Sequence, residues 1–166
     1  MAVVALKGTN ITNLDSTPAV VNNVAFMGGR DRVQVGTKEL TNGDSIGSTV
    51  IMARVPSNAV ITSIKIFCDA ITSGAADIGL YRTTQDGGAV VDADAYASAQ
   101  SIASASVVGI ECAFEARDIA NIRQLVWADA GLSADVPGRF YDIVATLTAA
   151  AAASGTLSWI VKYAVD

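Results

Sequence analysis

Histidine is missing from all 166 residues. Its absence removes the commonest general acid–base group and the commonest transition-metal ligand. Ser-His-Asp and Cys-His activation of a nucleophile are thereby excluded. Cysteine is nearly as scarce, with Cys68 and Cys112 alone. Two thiols make no disulfide framework, and no CxxC pair starts a zinc site. Both are expected to be buried and reduced, because Cys68 falls on the apolar side of an alternating run. Charge is thin as well, at 16% against ~25% in a typical domain. The net charge is −5 and no Lys/Arg cluster appears. A nucleic-acid or anionic-membrane partner needs a basic footprint, so neither is expected. No apolar stretch reaches the ~20 residues of a membrane span. The opening MAVVALKGTN is apolar too briefly, and has no charged start, to read as a secretory leader, so a cytosolic compartment is expected.

Small apolar residues are abundant. Half the chain is hydrophobic, yet it holds only two Trp, four Tyr and four Phe. A charge-poor chain of this kind either packs an alanine-rich core or gives part of its surface to a partner. Its length suits one domain that buries roughly two-thirds of the unfolded surface.

Residues 1–32 are loosely patterned. "KGTNITNLDSTPAVVNN" is rich in Thr, Asn and Ser, which bond to their own backbone and favour turns. This segment reads as a terminal arm. From Val33 the pattern alternates. "RVQVGTKEL" and "IGSTVIMARVPS" are strands, the second stopped by Pro56. In "AVITSIKIFCDA", Val60, Ile64, Ile66 and Cys68 share one parity, while Ser63, Lys65 and Asp69 share the other. "ADIGLYRT" is a strand followed by "TQDGG", where Asp86-Gly87 signals a hairpin. "AVVDADAYASAQSI" reads as a strand start followed by an irregular or short helical passage, and "ASVVGIECAFEAR" as another strand. "RDIANIRQLVWADAGL" places Ile119, Ile122 and Val126 at helical spacing, with Asp118 as N-cap and Gly131 as the stop. "FYDIVATLT" and "TLSWIVKYAVD" are the clearest strands, the latter with Leu157, Trp159, Val161, Tyr163 and Val165 on one face. The pattern predicts an all-β fold, an antiparallel β-sandwich of jelly-roll kind with one short helix. It divides the chain into an arm, 1–32, and a β-sandwich domain, 33–166.

No catalytic set emerges. Asp92 and Asp94 would share a face of a strand, so a carboxylate pair is geometrically possible. "DGGAVVDAD" gathers Asp86, Asp92 and Asp94 near a Gly pair and leaves a calcium loop open, although the EF-hand ladder is absent. The plainer reading is a turn at Asp86-Gly87 with solvated Asp92 and Asp94. "NGDSIGS", residues 42–48, lacks the GK[ST] of a phosphate loop. The "NIT" at Asn10 matches a glycosylation acceptor, but nothing suggests secretion. Trp127 and Trp159 sit on apolar faces and are expected in the core. No catalytic residue, metal or cofactor is assigned.

The phrases "NGDSIGS…ARVPSNAVITSIKI…CDAITSGAADIGLYRTTQDGGAVVDADAYASAQSI" and "LVWADAGLSAD…RFYDIVATLTAAAAASGTLSWIVKYAV" resemble the capsid decoration, or cement, proteins of tailed bacteriophages. The likeness runs from about Val33 to Val165 and carries over no functional residue. It implies a jelly-roll-like fold, dimers or trimers on the outside of the shell, and no chemistry. The expected partners are the major capsid protein and the chain itself, in a virion assembled in the host cytoplasm. In the arm, Val20, Val21, Phe26 and Met27 are the expected contacts. Two alternatives remain at this point: a tail or fibre adhesion module that binds host glycan, and a carbohydrate-active or calcium-dependent enzyme using Asp92 and Asp94.

Overall fold

The computed structural model describes residues 7–22, 24 and 27–165. Among these residues eight strands form: β1 (Arg30–Leu40), β2 (Thr49–Pro56), β3 (Val60–Cys68), β4 (Ala75–Arg82), β5 (Val90–Ser101), β6 (Ser106–Glu111), β7 (Phe140–Ala149) and β8 (Gly155–Val165). Their antiparallel pairs nest. β4 joins β5 at the tip, then β3 joins β6, β2 joins β7, and β1 joins β8. Two further pairings, β3 with β8 and β4 with β7, complete the sheets β1-β8-β3-β6 and β2-β7-β4-β5. The chain is thus one long hairpin rolled onto itself, the topology of a jelly roll. The all-β antiparallel sandwich expected from the alternation is what the residues form.

The alternation explains the layers. Along β8, Leu157, Trp159, Val161 and Tyr163 point into the core, while Ser158, Ile160 and Lys162 are more accessible. In β3, strict parity breaks at a bulge between Ile61 and Ser63. The extra Thr62 lets Ile61 and Ile64 both face inward, each fully buried. Ile66, Ile78, Leu80, Ile143 and Val161 fill the same core, with Tyr96 and Tyr141 the largest fully buried side chains.

Two local expectations are corrected. The passage after Val90 is not helical: β5 continues to Ser101. It is irregular because Asp92 pairs with Leu80 and Ala97 with Ile78, so residues 93–96 arch over Gly79. A Cβ on Gly79 would fall on the backbone of Asp92 and Ala93, so glycine is required where β5 crosses.

The helix expected over 117–132 is broken. A 3-10 turn covers Ile119–Arg123, Gln124 and Leu125 are extended, and α2 spans only Val126–Asp129. Tertiary pairing overrides the helical spacing here. Leu125 bridges to Val60, and the Val126 and Trp127 amides donate to the carbonyls of Ala59 and Ser57. Val126 is buried as expected, but Ile119 stays 73% exposed. Asp118 does cap, accepting from the Ala120 amide at 2.9 Å, and Gly131 adopts φ +73°. A further short helix, α1 (Thr9–Leu14), lies in the arm and was not foreseen. None of the described helices is long and apolar enough to cross a membrane.

Candidate functional site

In the arm, α1 buries none of its residues. The expected contact residues Val20 and Met27 are about half exposed and Val21 is 92% exposed, while Phe26 lies outside the described residues. The structure adds Ile11, Leu14 and Val24, all exposed. Ile11 and Met27 share a shallow hollow with Arg123, which brings the arm against the Ile119–Arg123 turn. A second apolar projection lies at the edge strand β6. Two extra residues loop out between its pairings with Ile66 and Cys68, leaving Val107 and Val108 more than 80% exposed. Period-two and period-3.6 reasoning both miss these positions, because a looped-out edge follows neither.

The aspartates do separate work. Asp77 accepts from the Ala99 amide at 2.7 Å and holds the irregular end of β5. Asp86 lies in the 3-10 turn Thr84–Asp86, where the Thr83 hydroxyl accepts from its amide. The hydrogen bond from Arg82 at 2.9 Å holds its carboxyl below the ordinary range. Asp92 and Asp94 lie exposed on β5, with the Asp94 amide donating to Asp92 Oδ1 at 3.3 Å. Partial burial and then the neighbouring Asp94 raise the Asp92 pKa. Among the described residues, no three carboxylates or thiols gather around one point.

Both cysteines are buried and free. Burial pushes both thiols up, Cys112 to about 12, so neither supplies a thiolate nucleophile at neutral pH. Trp159 is in the core as expected, whereas Trp127 is only half-buried.

A buried polar cluster lies under α2. Arg117 Nη2 sits 3.2 Å from Asp129 Oδ1 and donates to the Gln124 carbonyl at 3.0 Å. The Tyr96 hydroxyl donates to Asp129 Oδ2 at 3.1 Å. The guanidinium also stacks over the rings of Tyr96 and Phe114. Burial pushes the Asp129 carboxyl up to about 6, against the pull of Arg117.

A cleft of about 490 Å³ opens at one end of the second sheet. Arg54 of β2 and Asp142 of β7 are cross-strand partners. Arg54 Nε and Nη2 donate to the two Asp142 carboxylate oxygens at 2.6 and 2.9 Å, and Nη1 donates to Gln85 at 3.0 Å. That fork covers Asp142, whose side chain is only 2% exposed although it points away from the core. Opposite, the loop Val136–Phe140 brings up Pro137, Arg139 and a half-exposed Phe140. No motif marks this site, because its arginines come from separate strands and loops.

An eight-stranded jelly roll with apolar projections and an arginine-lined cleft is the class of domain defined here. The sequence matches no protein family and no curated protein. In structure the chain is similar to a chain of the cyanophage Pam1 capsid asymmetric unit. The superposition covers 99% of this chain and 94% of that one, with a TM-score of 0.54 and 15% identity. At that identity the likeness is one of fold.

Proposed function

We propose that this chain is a capsid-associated structural protein of a phage, one that decorates the outer surface of the shell and performs no chemistry. It binds the major capsid protein and associates with its own copies as a dimer or trimer. The observation that carries this reading is the end-to-end likeness to a chain of a cyanophage capsid asymmetric unit. The sequence resemblance over Val33–Val165 supports the narrower role of decoration. So do the solvent-facing apolar residues Val21, Val107 and Val108, whose burial against a neighbour would be favourable.

Physically, such a protein adds contact area where shell subunits meet. Each contact is modest, but repetition and bivalent attachment make the summed hold large. The test mixes purified chain with preassembled shells of the same phage that lack it and sediments the mixture. Saturable co-sedimentation at a fixed ratio to the capsid subunit is expected. Retention in the supernatant at every ratio contradicts the reading.

A further inference from the structure

Each sheet of the sandwich ends in two edge strands, and three of the four edges are interrupted. β2 carries the Met52 bulge and ends at Pro56, and the Gln34 side chain covers its backbone at Arg54. β5 shifts register three times against β4. β6 is six residues long and loops out at Val107 and Val108. Bulges, prolines and short lengths are what keep a sheet edge from adding another strand. β1 has none of them. Its eleven residues, Arg30–Leu40, pair with β8 one for one, without a shift and without a proline. On its other side, no backbone group of residues 30–39 has a partner among the described residues. Val33 and Val35, on its outward face, are both more than half exposed.

We propose that β1 pairs antiparallel with the β1 of a second copy of this chain, joining the two first sheets into one about a two-fold axis. An open edge offers every second N–H and C=O to an incoming strand. An identical strand running the opposite way satisfies both sets at once. The side chains select the register. A two-fold axis normal to the sheet keeps outward residues opposite outward residues, so it must fall on a residue. Centred on Gln34, the pair would set Arg30 against Lys38. Centred on Val35, it would set Asp31 against Glu39 and Arg32 against Lys38. Like charges directly opposite are destabilising, which disfavours both. Centred on Gly36, no like charges stand opposite: Val35 meets Thr37, Gln34 meets Lys38 and Val33 meets Glu39. That register keeps the longest overlap free of such pairs, so the axis falls at Gly36. The inference rests on the capsid reading only in taking a copy of the chain as partner, and of the dimer and trimer named there it requires the dimer.

The experiment is sedimentation velocity of the full chain over a wide range of concentration. A reversible monomer–dimer equilibrium is expected. Residue-resolved hydrogen exchange should slow at alternate amides of residues 32–40 as the chain is concentrated, and stay unchanged in β5 and β6. Val33→Lys places an ammonium opposite Glu39 and should tighten the dimer about fivefold, because the two-fold axis counts each cross-strand pair twice. Val33→Glu should loosen it by about as much. The opposed directions separate this pairing from a variant that merely folds poorly. A chain that stays monomeric at every concentration, a trimer, or a dimer whose β1 amides exchange as in the monomer overturns the inference. So do V33K and V33E chains that shift the equilibrium the same way. None of these results touches the capsid reading, which loading onto shells decides. A chain that pairs through β1 yet stays in the supernatant with shells overturns that reading and leaves this inference standing.

Discussion

The indole of Trp159 lies under Gly36, its partner across β1 and β8, and its Nε1 donates to the Met52 carbonyl at 2.6 Å. Met52 is the extra residue of a bulge in β2, so it has no partner in the β7 ladder. One side chain therefore satisfies a stray carbonyl and ties the first sheet to the second. Gln34 of β1 adds a parallel tie, its amide bonding both the carbonyl and the amide of Arg54 in β2. A Cβ at residue 36 would lie 2.6 Å from Cε2 of the indole. Gly36→Ala should then destabilise the fold by roughly 1–3 kcal/mol through overpacking. Chemical denaturation checks this, and a change under about 0.5 kcal/mol would mean the indole yields freely.

Arg54 and Asp142 should respond unequally to removal. Asp142 is buried, and among the described residues its charge is matched by the fork from Arg54 alone, which itself reaches solvent. Removing Arg54 strands a buried carboxylate, whereas removing the carboxylate frees a guanidinium to hydrate. Arg54→Met should thus lower the melting temperature more than Asp142→Asn, with the double variant recovering part of the loss. Thermal melts of the three variants test the order.

Asp129 predicts a pH dependence of definite sign. Its folded pKa is raised from 3.8 to about 6 by burial. The native state then binds this proton more tightly than the unfolded chain does. The stability it contributes is full below about pH 4 and is lost as pH rises through 6. The melting temperature of the unaltered chain minus that of Asp129→Asn should be most positive near pH 4, fall across that window and level off above about pH 7. A flat difference from pH 4 to 7 contradicts a raised pKa for that carboxyl.

The arm should be separable from folding. α1 buries no residue, and β1 begins only at Arg30. A chain lacking residues 1–27 should keep a cooperative melt close to that of the full chain yet lose most of its loading onto shells. Sedimentation of the truncated chain with shells is the check, and undiminished loading contradicts the role given to Val20, Val21 and Met27.

The legible parts of this fold were those where one sheet face meets water. β8 read most cleanly, because Leu157, Trp159, Val161 and Tyr163 alternate with the more accessible Ser158, Ile160 and Lys162, whereas β7 keeps the alternation of Tyr141, Ile143 and Leu147 in sequence although Asp142 and Val144 on its other face are buried too. The turn at Asp86-Gly87 likewise announced the β4–β5 hairpin. Reading failed where distant backbone overrode local preference. Ile119, Ile122 and Val126 have helical spacing, but the β2–β3 turn takes the amides that a continuous helix would use. Lone glycines inside strand patterns, Gly36 and Gly79, were the available signal for close backbone approach, at the indole and under the β5 arch. The cleft gave no signal at all. Arg54 and Asp142 are 88 residues apart, and only the rolled hairpin makes them neighbours.

The central claim is that this chain sits on the outside of a phage shell. Cryo-electron microscopy of shells incubated with the purified chain tests it most directly. The account predicts ordered density at repeated positions on the outer surface into which the two four-stranded sheets fit, contacting the capsid subunit through the arm. A bare outer surface at saturating chain, or density confined to the shell interior, would contradict it.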